Sequence, residues 1–99
     1  MKDSVKNAYT KRAHVLKAFA HPARLLIVDE LSRRSRCVCE LRDKVGLDIS
    51  TVSKHLSVLK QAGIVEDSKC GLQVFYKLKC PSATQFFAFV EGVLKTHQP

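Results

Sequence analysis

No stretch of this sequence is apolar for the roughly 20 consecutive residues that a membrane-spanning helix needs. Residues 1–7 also lack the apolar block of a secretory signal peptide, so we expect the protein to stay in the cytoplasm. The sequence contains no internal repeat and no low-complexity tract. Its 99 residues, 45% of them hydrophobic, therefore predict one globular domain, spanning residues 1–99, with a modest core.

The sequence also lacks the motifs of an enzyme and those of a domain stabilised by a structural zinc ion. There is no phosphate-cradling glycine loop, and the acidic residues and histidines have no spacing that suggests catalysis. The four cysteines are too scattered for a structural zinc site, which needs four ligands at close spacing. In the cytoplasm they are not expected to form a disulfide scaffold either, so we expect reduced thiols that are buried, metal-binding or reactive.

Acidic residues are few. The chain has 9 Asp and Glu against 17 Lys and Arg, which gives a formal charge of +8. A surplus of this size in a small chain favours a polyanionic partner, with nucleic acid ahead of an anionic membrane.

Apolar spacing predicts long helices at both ends of the chain, over residues 1–20 and 81–96. Residues 22–33 are apolar on nearly all sides at the centre of the segment and are predicted to form the core helix. The two end helices carry more apolar side chains than one small core can absorb. We therefore expect them to form the interface of a two-fold homodimer.

Two shorter helices are predicted between these elements. The first covers residues 37–45 and is ended by Gly46. In the second, the carboxylate of Asp48 is expected to cap the free backbone N–H groups. The helical period of this second helix predicts which of its side chains face inward and which form a polar face. The inward set is Ile49, Val52, Leu56 and Leu59, and the polar set is Ser50, Ser53, Lys54 and Ser57.

Residues 64–67 and 73–78 read as two strands, joined by a hairpin in which Gly71 supplies a positive φ. The chain therefore has, in order, a short helix, a tight turn, a polar helix and a hairpin. This order is typical of a winged helix-turn-helix, here with about five helices and a two-stranded wing.

The polar helix is predicted to contact double-stranded operator DNA. Small hydroxyl side chains allow a close approach to the major groove, and a lysine adds a guanine or phosphate contact. Ser50, Thr51, Ser53 and Lys54 would provide these contacts, and Lys69 at the hairpin tip would reach the flanking backbone. His55 borders the apolar face, so we interpret it as a hydrogen-bonded boundary residue and not as a base reader.

Cys37 and Cys39 are the predicted sensing residues. Thiolates suit soft ions, and three arginines and a helix N-terminus nearby favour ionisation. Residues i and i+2 do not face each other on an ideal helix, so two sulfurs can hold one ion only if the helix start distorts. Such a distortion would tilt the recognition helix, and the coupling required is of ordinary size, about 1–3 kcal/mol.

The chain resembles the ArsR/SmtB family of metalloregulatory repressors, and the arsenical-resistance repressors most. The resemblance extends over residues 14–78. It rests on residues 21–25 (HPARL), 37–41 (CVCEL), 52–56 (VSKHL) and the wing segment 71–78. It implies a homodimer that represses its own resistance operon and leaves the operator when an ion binds. It also implies that Cys37 and Cys39 are ion ligands and that the polar helix contacts DNA.

This sequence departs from the family pattern at the third ligand. Arg42 stands where many arsenical repressors have a third cysteine, and no cysteine precedes Cys37. Cys80 is the better candidate among the remaining cysteines, ahead of Cys70, while a small external thiol or water is the alternative. We rank As(III) or Sb(III) first as inducer, Cd(II) or Pb(II) second and Zn(II) third.

Two other functions use the same DNA-binding domain. In a redox-switch repressor, a disulfide among the four cysteines would be the signal, although neighbours at i and i+2 make a poor disulfide without distortion. In a constitutive winged-helix protein, the cysteines would have no regulatory role.

Overall fold

The computed structural model describes residues 1–97, which form five helices and three short strands. In chain order these are α1 (Asp3–Phe19), α2 (Pro22–Arg33), β1 (Arg36–Cys37), α3 (Val38–Val45), α4 (Ile49–Gln61), β2 (Val65–Cys70), β3 (Gln73–Leu78) and α5 (Ala83–His97). The winged helix-turn-helix is confirmed: α3 and α4 are its two helices, and β2 and β3 are the wing.

The core lies where α2, α3, α4 and the base of the wing meet. Its side chains with almost no exposed surface are Ile27, Val28, Leu41, Val52, Leu56, Leu59 and Val65. The prediction that Ile49 points inward is wrong, since this side chain is 44% exposed. Ile49 is the first residue of α4, and the inward face becomes buried only one turn later, at Val52.

The sheet has one strand more than predicted. Its order is β1-β3-β2, and all pairs are antiparallel. Arg36 of β1 pairs with Tyr76 of β3, and Cys37 pairs with Phe75. Gly71 has the predicted positive φ, 63°, at the hairpin turn. The sequence pattern did not predict β1, because this strand has only two residues and its partner lies about 40 residues further along the chain.

The two end helices are only partly packed. In α1 the side chains are exposed up to Lys17, apart from a half-buried Ala8, and burial begins at Ala18. Phe19 then packs on Phe86 of α5, with ring centroids 4.7 Å apart. The outer half of α5 leaves Phe89, Val93 and Leu94 exposed. Within residues 1–97, none of the helices is both long and apolar enough to cross a membrane.

Candidate nucleic-acid interface and thiol site

The turn between α3 and α4 is set by two residues. Gly46 ends α3 with φ of 76° and donates its N–H to the Arg42 carbonyl at 2.9 Å. Asp48 stands at the predicted N-cap position, but its carboxylate accepts the Ser50 hydroxyl at 2.7 Å and not the backbone N–H that we expected. The Thr51 and Ser50 hydroxyls lower the pKa of Asp48. This carboxylate therefore positions hydroxyl groups on the first turn of α4.

The predicted DNA-contacting side chains lie on two exposed surfaces. Ser50, Ser53 and Lys54 are exposed on α4, while Thr51 is half-buried. Lys69 is exposed on β2, two residues before the turn. In the described part of the chain neither lysine forms an ion pair, whereas Lys60 and Lys77 are paired with Asp67 and Glu66. Both lysines thus keep their charge available for a phosphate or a base.

A histidine pair and an arginine hold α4 against the start of α2. The Arg24 Nη1 lies 3.2 Å from His55 Nδ1, and the Arg24 Nε donates to the Ala18 carbonyl at 2.7 Å. The His21 ring packs on His55 with centroids 4.3 Å apart, and its Nδ1 accepts the Ala23 N–H at 3.0 Å. Burial lowers the pKa of His55, and His21 and Arg24 lower it further. The interpretation of His55 as a boundary residue is confirmed.

Cys37 and Cys39 occupy different environments. Cys37 is 7% exposed, has an extended backbone (φ −76°, ψ 161°) and is the N-cap of α3, which begins at Val38. Cys39 is exposed on the first turn of that helix. The prediction of one helix carrying both is corrected, since Cys37 belongs to β1. One thiol is therefore buried and the other exposed.

The basic residues around the thiols are neutralised by two glutamates. Arg36 Nη2 lies 2.9 Å from Glu30 Oε2, and Glu40 pairs with Arg34 and, at 3.6 Å, with Arg36. Glu40 also accepts the Cys37 N–H at 3.2 Å. The bonds from Arg34 and from this N–H lower the pKa of Glu40 to about 2. The arginines expected to favour thiolates therefore have carboxylate partners, which the sequence analysis missed.

Cys70 is separated from Cys37 by the whole width of the sheet. Cys37 pairs with Phe75, which pairs on its other side with Ser68, and Cys70 lies two residues beyond Ser68. Two strand spacings amount to about 10 Å. A disulfide needs Cα atoms about 4.4–6.8 Å apart, so these two cysteines cannot join in this fold.

Cys80 lies away from the pair, after the end of β3. Its Sγ is 2.9 Å from the Ser82 Oγ, and it lines an apolar groove of about 340 Å³ with Phe19 and Phe86. Within residues 1–97, no cluster of three His, Cys, Asp or Glu side chains is placed to hold a metal ion. The structure therefore brings neither Cys70 nor Cys80 to the Cys37 and Cys39 pair within one protomer.

Comparison with known proteins assigns the fold to a family. Residues 21–67 match the model of the bacterial regulatory proteins of the arsR family. An HTH-type transcriptional regulator of Methanocaldococcus jannaschii is 44% identical over 69 residues, which are 69% of this chain and 78% of the relative. The chain belongs to the arsR family.

Two solved structures resemble nearly the whole chain. A homodimeric winged helix-turn-helix DNA-binding domain from Mycobacterium bovis has a TM-score of 0.83 at 30% identity, covering 98% of this chain and 90% of that one. The transcriptional repressor BigR from Xylella fastidiosa has a TM-score of 0.75 at 30% identity, covering 100% and 99%.

Family membership confirms the prediction of a DNA-binding transcriptional regulator and not an enzyme. Arg24 is a structural residue whose contacts were not predicted from the sequence. Its signal was present in the HPARL segment, but the contact with His55, 31 residues later, is visible only in the fold. The individual DNA contacts and the ion ligands stay predictions.

Proposed function

We propose that this arsR-family regulator represses transcription in the cytoplasm as a homodimer and releases its operator when a thiophilic ion binds Cys37 and Cys39. As(III) or Sb(III) is the preferred inducer, ahead of Cd(II), Pb(II) and Zn(II). One observation carries the proposal. Cys37 is at once the last residue of β1 and the N-cap of α3, so the thiol pair lies at the junction of the wing sheet and the helix-turn-helix.

The exposed stripes on α1 and α5 support the homodimer. Val5, Tyr9 and Leu16 are 43%, 61% and 52% exposed along one face of α1. On α5, Phe89 is also exposed, at 69%. Phe19 and Phe86 are in contact where the two helices meet, and we propose that α1 and α5 act as one dimerisation unit. Pairing this unit with a second copy would bury these side chains and place two α4 helices on one face of the dimer.

Charge and exposure on α4 and the wing support the DNA contacts. Ser50, Thr51, Ser53 and Lys54 stand on the first two turns of α4, the part of a recognition helix that meets base edges. Lys69 extends the basic surface toward the flanking phosphates. The net charge of +8 supplies the long-range attraction that such contacts need.

The donor atoms at the thiol site suit a soft ion. Both thiols are free of disulfides, and sulfur is the ligand that soft cations prefer. The two sulfurs would hold the ion, and a small external thiol or water would take the remaining position. Gathering a buried and an exposed thiol around one ion shifts the start of α3, which is the helix before α4.

The test is operator binding by fluorescence anisotropy under reducing conditions, with arsenite, antimonite, Cd(II), Pb(II) and Zn(II) titrated in turn. We expect arsenite to release the parent protein and to fail with Cys37→Ser and with Cys39→Ser. Cys70→Ser is the matched control and should respond as the parent does. Tight binding that none of the ions disturbs would contradict the proposal. Release by peroxide, reversed by a metal-free reductant, would replace it with the redox switch.

A further inference from the structure

We propose that ion binding at Cys37 weakens operator binding through the wing, and that the Lys69 contact is the DNA contact that is lost. The inference rests on the proposed function and names how that site is regulated. The feature that carries it is the pairing of β1 with β3, which joins Cys37 directly to the strand next to Lys69.

Cys37 is tied to its surroundings on three sides. Laterally it pairs with Phe75 of the wing. Upstream, Arg36 is anchored to the core helix α2 by its ion pair with Glu30, in which the side chains are 12% and 11% exposed. Downstream, the Cys37 N–H is held by Glu40 of α3. A displacement of Cys37 toward an ion must therefore strain at least one of these three connections.

The tip of the wing is the least anchored part that this strain can reach. The base of the wing is held, since Tyr76 and Leu78 pack against the core and Asp67 is paired with Lys60 of α4 at 3.0 Å. Three side chains of α4, those of Val52, Leu56 and Leu59, have no exposed surface, and α3 is anchored by the equally buried Leu41. In β2, by contrast, burial ends at Val65 and Glu66, and residues 67–70 are exposed. Strain distributes into the most compliant element, so the tip of the wing moves further than α4 does.

The pairing of β1 with β3 is short, only two residues long, so binding of an ion at Cys37 can disrupt it. β1 contributes only the Arg36 and Cys37 positions to the sheet edge, against six paired positions between β2 and β3. When Cys37 leaves its place beside Phe75, β3 loses its neighbour on that side while the hairpin itself stays paired. The tip of the wing then moves about its packed base and carries Lys69 away from the phosphates.

Salt dependence of operator binding tests this inference, because each phosphate contact contributes about 0.9 to the slope of log K against log salt concentration. The proposed homodimer makes this contact twice, once from each protomer, so with arsenite bound the parent's slope should fall by about 2. Without arsenite, the Lys69→Ala variant should already have that lower slope, and adding arsenite should not lower it further. Arsenite should also weaken operator binding by this variant several-fold less than it weakens binding by the parent. Lys54→Ala is the matched control. It should also start lower but still lose about 2 on adding arsenite, because both Lys69 contacts are present in this variant.

The ultraviolet absorption of thiolate–arsenic bonds measures ion binding in the same samples. The proposed function and the wing route can therefore fail separately. No absorption would remove the proposed function and this inference with it. Absorption accompanied by an unchanged arsenite response in Lys69→Ala, and a lost one in Lys54→Ala, would overturn the wing route and assign release to α4. The chain has no tryptophan. Phe75→Trp therefore gives a second readout, and its emission should shift when arsenite binds without DNA.

Discussion

Glu30 and Arg36 form an ion pair of 2.9 Å in which 11% and 12% of the side chains are exposed. This pair joins the core helix α2 to β1, immediately before Cys37. A buried pair is costly to break, because removing one partner leaves the other as an uncompensated buried charge.

Glu30→Ala should therefore destabilise the protein by about 3 kcal/mol. Replacing both residues by Met removes both charges, so most of this loss should be recovered in the double variant. Asp29→Ala is the control, since the pair of Asp29 with Arg33 is exposed and should contribute less than about 1 kcal/mol. Urea unfolding measures all three variants. Equal losses for Glu30→Ala and Asp29→Ala would show that burial of the pair has no energetic consequence.

Stability should fall on mild acidification because of His55. Burial, His21 and Arg24 lower its pKa below the ordinary value of 6.5 in the folded state. Between the folded and the unfolded pKa the unfolded chain binds more protons, so the free energy of unfolding rises with pH in that window and falls as pH drops below about 6.5. His55→Gln should flatten this dependence. Unfolding free energies measured at pH 5.5 to 7.5 test it, and an equally steep dependence in the variant would assign the effect to other groups.

A charge on the exposed half of α5 should dissociate the homodimer. Phe89 is 69% exposed in the protomer, so Phe89→Glu costs little within one chain but would bury a carboxylate in the proposed interface. We expect the dimer dissociation constant to rise about 100-fold, equivalent to about 2.8 kcal/mol. Leu72→Glu at the fully exposed hairpin turn is the control and should leave the dimer intact. Sedimentation equilibrium gives both constants, and a dimeric Phe89→Glu would place the interface elsewhere.

Neighbouring serines of α4 should differ in their effect on DNA binding. Ser53 lies on the second turn and Ser57 one turn later, and both are exposed. Ser53→Ala removes one hydrogen bond in each protomer of the proposed homodimer, so operator binding should weaken by about 2 kcal/mol, or about 30-fold. Ser57→Ala should stay within about two-fold, because bases are contacted from the start of a recognition helix. Anisotropy titrations at one fixed salt concentration compare them, and the opposite order would shift the contact surface along α4.

The sequence predicted those parts of the fold that depend on local signals. Gly46 and Gly71 marked turns because positive φ values need glycine, and the spacing of Val52, Leu56 and Leu59 identified the buried face of α4. Pro81 marked the start of the last helix to within two residues, since α5 begins at Ala83.

Contacts between distant residues account for what was missed. The pairing of Cys37 with Phe75 and the bond of Arg24 to His55 join residues more than 30 positions apart, and neither leaves a periodic pattern. The pairing of Cys37 with Phe75 determines the environment of the thiol pair. A two-residue strand places Cys37 outside the helix, so helical geometry alone could not describe its relation to Cys39.

The exposed apolar stripe of α1 also makes the stability of the regulator depend on its concentration. In a homodimer built on this surface, the free energy of unfolding includes the association of two chains and therefore follows mass action. The melting temperature should then rise with protein concentration. A cell holding few copies would contain a less stable regulator, which is degraded more readily, so the amount of repressor and its resistance to proteolysis would increase together.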